Sequence, residues 1–164
     1  MIDNHTLIEV VAHSNRIEGE PTSGDSFDRH LRAARACIIA AEEGTLVHPR
    51  AIHSMAFDGM YGHAGQYREV EVYVNTPTGK RMFPPHNSVP QLMCDWWDMR
   101  HLDPWPTHVS FESIHPFEDG NGRVGRMFMW MQEVCFGQPI TIIRYEDRFD
   151  YYSKLEAARA SNNS

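Results

Sequence analysis

HPFEDGNGRVGR occupies residues 115–126 and decides how the rest of this chain is read. It brings together an imidazole (His115), a carboxylate (Asp119), two glycines around an asparagine (Gly120, Asn121, Gly122) and two arginines (Arg123, Arg126). Residues 123–136, RVGRMFMWMQEVCF, follow at once with apolar side chains on several faces. The pattern predicts a loop feeding a largely buried helix, stopped near Gly137 with Pro139 just beyond. Unpaired N–H groups and the positive dipole end of a helix N-terminus attract an anion. The glycines let backbone approach a phosphate without a Cβ in the way.

The side chains suit the same chemistry. Asp119 can anchor Mg²⁺, a hard cation held through one or two carboxylates plus substrate phosphates. Arg123 and Arg126, spaced i, i+3, are expected on one side of the first turn, where guanidinium forks match phosphate oxygens. His115 closes a short helix expected over residues 107–114. With an ordinary imidazole pKa of ~6.5 it can take a proton from a hydroxyl at cellular pH. Simpler explanations do not cover the whole run. Asn121-Gly122 alone would suit a hairpin turn, but its flanks do not alternate. Glu118-Asp119 lacks the ligand spacing of an EF-hand.

The run resembles the signature of the Fic domain family, H-P-F-x-D/E-G-N-G-R-x-x-R, with every specified position met. Members of that family typically move AMP from ATP to a hydroxyl side chain of a protein. The resemblance implies that His115 is the general base and Phe117 a core anchor of the loop. It implies that Asp119 binds Mg²⁺ across the α- and β-phosphates. Gly120, Asn121 and Gly122 would line the anion cradle, Arg123 would contact phosphate and Arg126 would hold the γ-phosphate of ATP. Gly122, where phosphate-transferring relatives carry lysine, favours AMP transfer. Removal of AMP, transfer of another nucleotide or phosphate group, and a non-catalytic docking module are the competing functions.

Two further segments carry the resemblance. Gly65-Gln66-Tyr67-Arg68, EVEVYVN, a turn at Thr76-Pro77-Thr78-Gly79 and Lys80-Arg81-Met82-Phe83-Pro84-Pro85 look like the family's flap, here residues 65–86. Residues 69–75 alternate, with Val70, Val72 and Val74 on one face, which predicts a half-buried strand. In the family this flap pins a protein target as an added strand. Near the start, Ser14-Asn15-Arg16-Ile17-Glu18-Gly19 matches the inhibitory motif S/T-x-x-x-E-G/N, although Glu20 stands where Asn is common. Ser14 and Glu18 share a helix face, and Leu7, Ile8, Val11 and Ile17 form an apolar stripe for docking. In the resembling subclass the glutamate, here Glu18, pairs with the second arginine, here Arg126, and blocks the γ-phosphate. A plainer role for Glu18 and Gly19 is the last turn and C-cap of a helix.

The remaining pattern is helical. Helices are expected over residues 7–18, 26–43 (Asp25 as N-cap, Gly44 as stop), 49–59 (Pro49 at N1), 88–101 (Ser88 as cap) and 147–160. The last should bury Phe149, Tyr152, Leu155 and Ala158, and the tail 161–164 should fray. The expected fold is all-α, a Fic-like helical bundle with one β-hairpin flap. The chain's 164 residues form a single domain, with residues 1–20 as the inhibitory helix.

A net charge of −7 with no basic block argues against nucleic acid as a partner. No apolar run approaches the ~20 residues of a membrane span. The opening MIDNHTLIEVVAHSN has no signal-peptide pattern, and Cys37, Cys94 and Cys135 are expected as buried thiols in a reducing cytoplasm. His101, His108 and His115 are spaced by seven, but intervening prolines break any helix that would align them as a zinc site. The expected partner is a protein hydroxyl docked on the flap; a homo-oligomer is compatible with the sequence.

Overall fold

The computed structural model describes residues 2–76 and 79–162. The described residues form seven α-helices in chain order, α1 (Asn4–Ile17), α2 (Gly24–Glu42), α3 (Pro49–Phe57), α4 (Val89–Asp98), α5 (Pro104–Ile114), α6 (Asn121–Cys135) and α7 (Arg148–Asn162), with one antiparallel hairpin between α3 and α4 in the chain. That hairpin pairs β1 (Tyr73–Thr76) with β2 (Gly79–Met82), Tyr73 opposite Met82 and Thr76 opposite Gly79. Pro77 and Thr78 of the expected turn lie outside the described residues, as do Met1 and the end of the tail, Asn163 and Ser164.

α6 is the axis of the bundle. Twelve of its fifteen residues are buried, which explains why apolar side chains occupy several of its faces. α1, α2, α3 and α5 pack against it. Its core side chains Met127, Phe128, Met129, Trp130 and Met131 meet Trp96, Phe111 and Phe117. The closest crossing is with α5 at Gly125. A Cβ there would stand 2.6 Å from Glu112 Oε1 and 2.9 Å from Phe111 Cδ1.

Several expected details differ. α1 begins at Asn4, capped by Asp3, whose Oδ1 accepts the Thr6 N–H at 2.9 Å. Its inner face uses Val10, while Ile8 is exposed. α2 starts at Gly24, so Asp25 sits inside the first turn rather than at the cap. Ser88 stands at the N-cap position of α4, as expected, but makes no side-chain cap bond. It ends a 3₁₀ turn, and its hydroxyl donates back to Pro85 O. The helix expected over 88–101 is therefore α4 flanked by two 3₁₀ turns.

The strand expected from residue 69 begins only at Tyr73, and Val70 is exposed. The Arg68 side chain bonds the carbonyl of Val70, and the Arg68 N–H bonds Pro116 O, so this stretch is tied to the signature loop instead of a ladder. On α7 the inner face is Tyr151 and Leu155, with Ala158 beside them, packed on Val109 of α5. Phe149 and Tyr152 are exposed, because the side of α7 that meets α5 is set one position away from the apolar count. Cys37 is buried as expected and Cys135 is partly covered, but Cys94 is exposed. No helix among the described residues is long and apolar enough to cross a membrane.

Gly125→Ala should overpack the α5–α6 crossing. The expected loss is about 1–3 kcal/mol, read as a lower urea midpoint at unchanged slope; an unchanged midpoint would show that the crossing has slack.

Candidate active site

The chain makes a sharp exit from α5. His115 is its C-cap at φ 53° and ψ 62°, the one non-glycine residue with positive φ among the described residues. Such a conformation costs on the order of 1–3 kcal/mol and persists only when its surroundings enforce it. Here Arg68 does so. Its Nε donates to His115 O at 2.8 Å and its Nη2 to Pro84 O at 2.6 Å and Ile114 O at 3.4 Å. One buried guanidinium thus joins the loop of α5 to the hairpin. The Phe83 ring stacks on the His115 ring at 4.0 Å and 10°.

The rest of the loop is fastened from inside. Asn121 clamps Phe117, accepting its N–H and donating to its C=O, each at 2.8 Å. The His53 ring stacks on Phe117 at 4.1 Å. His53 Nδ1 accepts the Gly65 N–H at 2.9 Å, which leaves Nε2–H to donate to Asp119 O at 3.1 Å. Gly120 then turns the chain at φ 77° into α6, and a Cβ on it would run into the Phe57 ring. The first helical bond of α6 runs from Val124 N to Gly120 O. The N–H groups before it therefore point forward as free donors.

The two arginines diverge, contrary to the expectation of one side. Arg123 turns toward α2 and α3. Its guanidinium lies 4.7 Å over the Phe57 ring, 3.5 Å from His30 Nε2, 3.7 Å from Glu20 Oε1 and 3.7 Å from Asp119 Oδ1. Arg126 turns toward α1. Its Nε donates to Ser14 Oγ at 2.8 Å, and its Nη2 to Ser14 O at 3.1 Å and Glu18 Oε1 at 2.7 Å. The Glu18 carboxylate also covers Gly122, where an added Cβ would collide with its Oε1.

A cleft of about 840 Å³ opens in front of these groups. His115, Gly122, Arg126 and Glu18 line it, with Glu112, Tyr151, Tyr152 and Phe149 on the wall and β1 over the mouth. Asp119, Gly120, Asn121, Arg123 and Ser14 stand behind or beside that wall. Asp119 keeps its side chain largely exposed while accepting from Tyr61 Oη at 2.8 Å and from the Gly120 N–H at 2.7 Å. No group of three or more His, Cys, Asp or Glu poised for a metal occurs among the described residues. One accessible carboxylate beside an anion-seeking helix end fits Mg²⁺, which keeps several waters and takes the rest of its ligands from phosphates.

Burial holds the His115 imidazole down at about 4, well below the ordinary value expected from sequence, with Arg159 adding to the shift. It is therefore neutral, with a lone pair free, throughout the physiological range. The same desolvation lowers His30 and His53 to about 4 and His108 to about 3. Glu112 moves the other way, pushed up to about 7 by burial against a smaller opposing pull from Arg126.

Sequence reasoning missed Arg68, His53, Tyr61 and Glu112. Arg68 and Tyr61 lie in segments that read as surface hairpin and loop. Glu112 and His53 sit on helical faces whose burial becomes visible only after packing.

Residues 44–132, more than half of the chain, match the Fic/DOC family. The chain belongs to the Fic/DOC family. Among its relatives is a protein adenylyltransferase Fic of Nematostella vectensis, 36% identical over 104 residues, covering 58% of this chain and 24% of that protein. This chain thus spans about a quarter of the length of that curated relative. A crystal structure of a Fic-domain-containing signalling protein from Bacteroides thetaiotaomicron superposes with a TM-score of 0.83 at 21% identity, covering 93% of this chain and 71% of that one. A Fic family protein from Desulfovibrio desulfuricans follows at TM-score 0.71 and 26% identity, covering 94% and 57%. The Fic fold thus extends beyond the matched residues to nearly the whole chain, α1 and α7 included.

Two outcomes follow for this Fic site. Arg68→Met would strand the carbonyls of His115, Pro84 and Ile114; a loss of about 1–3 kcal/mol per stranded buried group is expected, with a lower melting temperature, and wild-type stability would mean that water replaces the guanidinium. The four depressed histidines bind fewer protons folded than unfolded, so stability is lost as pH falls from ~6.5 toward ~4. Glu112 and Glu133, both raised by burial, work in the opposite direction, as two groups against five once the lowered His48 is counted. Melting followed by circular dichroism from pH 7 to 4.5 should show a falling midpoint; a flat profile would mean that these histidines are not buried and neutral.

Proposed function

We propose that this chain is a protein adenylyltransferase that moves AMP from ATP to a Ser, Thr or Tyr hydroxyl, its own included, and that α1 holds it inactive. The observation that carries this reading is the triple engagement of Arg126 by Ser14 and Glu18, at the mouth of a cleft that also contains His115. The triphosphate would lie along the free N–H groups of α6, with its terminal phosphate at Arg126 and Arg123 stiffening the cradle from behind. Asp119 would hold Mg²⁺, which neutralises charge on the leaving pyrophosphate. His115, neutral and stacked on Phe83, accepts the proton of the attacking hydroxyl. The hydroxyl oxygen bonds the α-phosphorus as the bond to the β-phosphate oxygen breaks. Positioning and electrostatics supply most of the rate. The flap edge offers main-chain groups to an extended segment of the target protein.

Glu18 occupies the space beside Arg126 and Gly122 that a terminal phosphate needs. An anion entering there must displace a carboxylate already hydrogen-bonded to a buried cation, so Glu18 competes with it for the donors of Arg126.

Incorporation of α-labelled ATP into protein tests both parts. Glu18→Gly should raise labelling by roughly tenfold or more, the equivalent of ~1.4 kcal/mol, and Glu18→Gly with His115→Ala should abolish it. Equal labelling by wild type and Glu18→Gly would remove the inhibitory role. No labelling by any variant, with release of AMP from a modified target instead, would assign the reverse reaction.

A further inference from the structure

Glu112 is a carboxyl that the mechanism above does not use. It projects from α5 one turn before His115, and its residue surface is 6% exposed. It lines the cleft. Its Oε1 is buried and has no hydrogen-bond partner. An acid left in this state carries a solvation cost that a native structure rarely tolerates without a use for the group.

Its surroundings say what that use is. Gly125 of α6 is bare where a Cβ would strike Glu112 Oε1, so the carboxyl is drawn in toward the helix that carries Arg126. Arg126 is the cation that acts on Glu112 most strongly, and Glu18 of α1 is the carboxylate that opposes its charge. From α7, Arg159 faces it and donates from Nη2 to Glu112 O at 2.9 Å, while the Tyr151 hydroxyl is hydrogen-bonded with His108 Nε2 at 2.8 Å. On its own helix stand His108 and His115. With Glu18 in place, Arg126 already has a full carboxylate partner, and Glu112 is a second acid around one cation. If a phosphate replaces Glu18, it brings more negative charge to the same corner. An ionised Glu112 would then repel it, whereas a protonated one would offer an O–H donor to a phosphate oxygen.

We propose that Glu112 is a proton-dependent phosphate-binding residue: the terminal phosphate of a nucleoside triphosphate is accepted beside Arg126 only with Glu112 protonated, so binding takes up one proton. The inference rests on the proposed reading of Arg126 as the terminal-phosphate site. Burial has already brought the carboxyl to about 7, so a proton is available near neutrality. Of the other groups on the cleft wall, Tyr152 is raised by burial and Glu156 is paired with Arg159. His108 and His115 stay neutral above pH 5, Tyr151 is raised beyond its ordinary range by burial, and the arginines remain charged.

The experiment is calorimetric titration of MgATP into Glu18→Gly and into Glu18→Gly, Glu112→Gln, at pH 6, 7 and 8, each in two buffers of different ionisation enthalpy. The nucleotide's own titration is common to both variants. Glu18→Gly should take up close to one extra proton at pH 8, and its affinity should weaken by up to ~tenfold per pH unit above pH 7. The Gln variant, a neutral mimic of the protonated acid, should bind at pH 8 about as well as Glu18→Gly does at pH 6. Matching pH profiles for the two variants overturn the proposal and leave the nucleotide site standing. Absence of proton uptake by Glu18→Gly at pH 8 overturns it without any substitution at Glu112, should the Gln variant fail to fold. Failure of Glu18→Gly to bind MgATP at any pH overturns both this proposal and the reading of Arg126.

Discussion

A buried guanidinium on the central helix of the bundle organises this molecule. Arg126 is 1% exposed, and a cation so placed requires partners on every side that water would otherwise serve. Ser14 and Glu18 supply them from α1, with Tyr151 of α7 lying 5.8 Å beneath the guanidinium plane. Two elements far apart in sequence, α1 and α7, are thereby held around the N-terminal end of α6. The cleft is the space left between them, and its chemistry follows from which anion holds the arginine.

A second buried arginine performs the matching task for the loop. Arg68 distributes its donors over carbonyls from both sides of His115 and from the hairpin, which is why a non-glycine residue can stay in the left-handed region there. His53 and Asn121 fasten the next residues through Phe117 and Asp119. The loop's backbone groups are bonded by side chains from α3, α6 and the segment leading into the hairpin. Such fastening suits the positioning that the roles proposed for His115 and Asp119 require. The same desolvation that secures these contacts keeps the histidines neutral and the carboxyl of Glu112 reluctant to ionise, so packing and protonation state are two aspects of one burial.

Much of this was legible in the sequence. The signature loop, its helix, the hairpin and the Ser14–Glu18 motif read correctly as elements because each is encoded locally, by glycines at turns, helix spacing and alternation. Helix ends were less legible: Ser88 holds the N-cap position of α4 without a side-chain cap bond, and Asp25 falls inside the first turn of α2. The inner face of α7 was read one position off, since Phe149, Tyr151, Tyr152 and Leu155 offer two apolar stripes and only contact with α5 selects between them. The two arginines of the signature show the same limit. Their i, i+3 spacing places the Cα atoms near each other, yet Phe57 and Ser14 draw the long side chains apart.

By itself, the sequence determined the inventory: an imidazole, a carboxylate suited to a metal, an anion-seeking helix end, a hairpin and a glutamate at the end of the first helix, on a helical framework. These depend on residue type and short-range spacing. Only the tertiary structure decided that the two arginines of the signature part, that Arg68 and His53 hold the loop, and that Glu112 Oε1 stands without a hydrogen-bond partner. Those facts depend on which faces are removed from water when distant helices pack, and burial of a charged or titratable group is a property of the assembled core rather than of any stretch of chain.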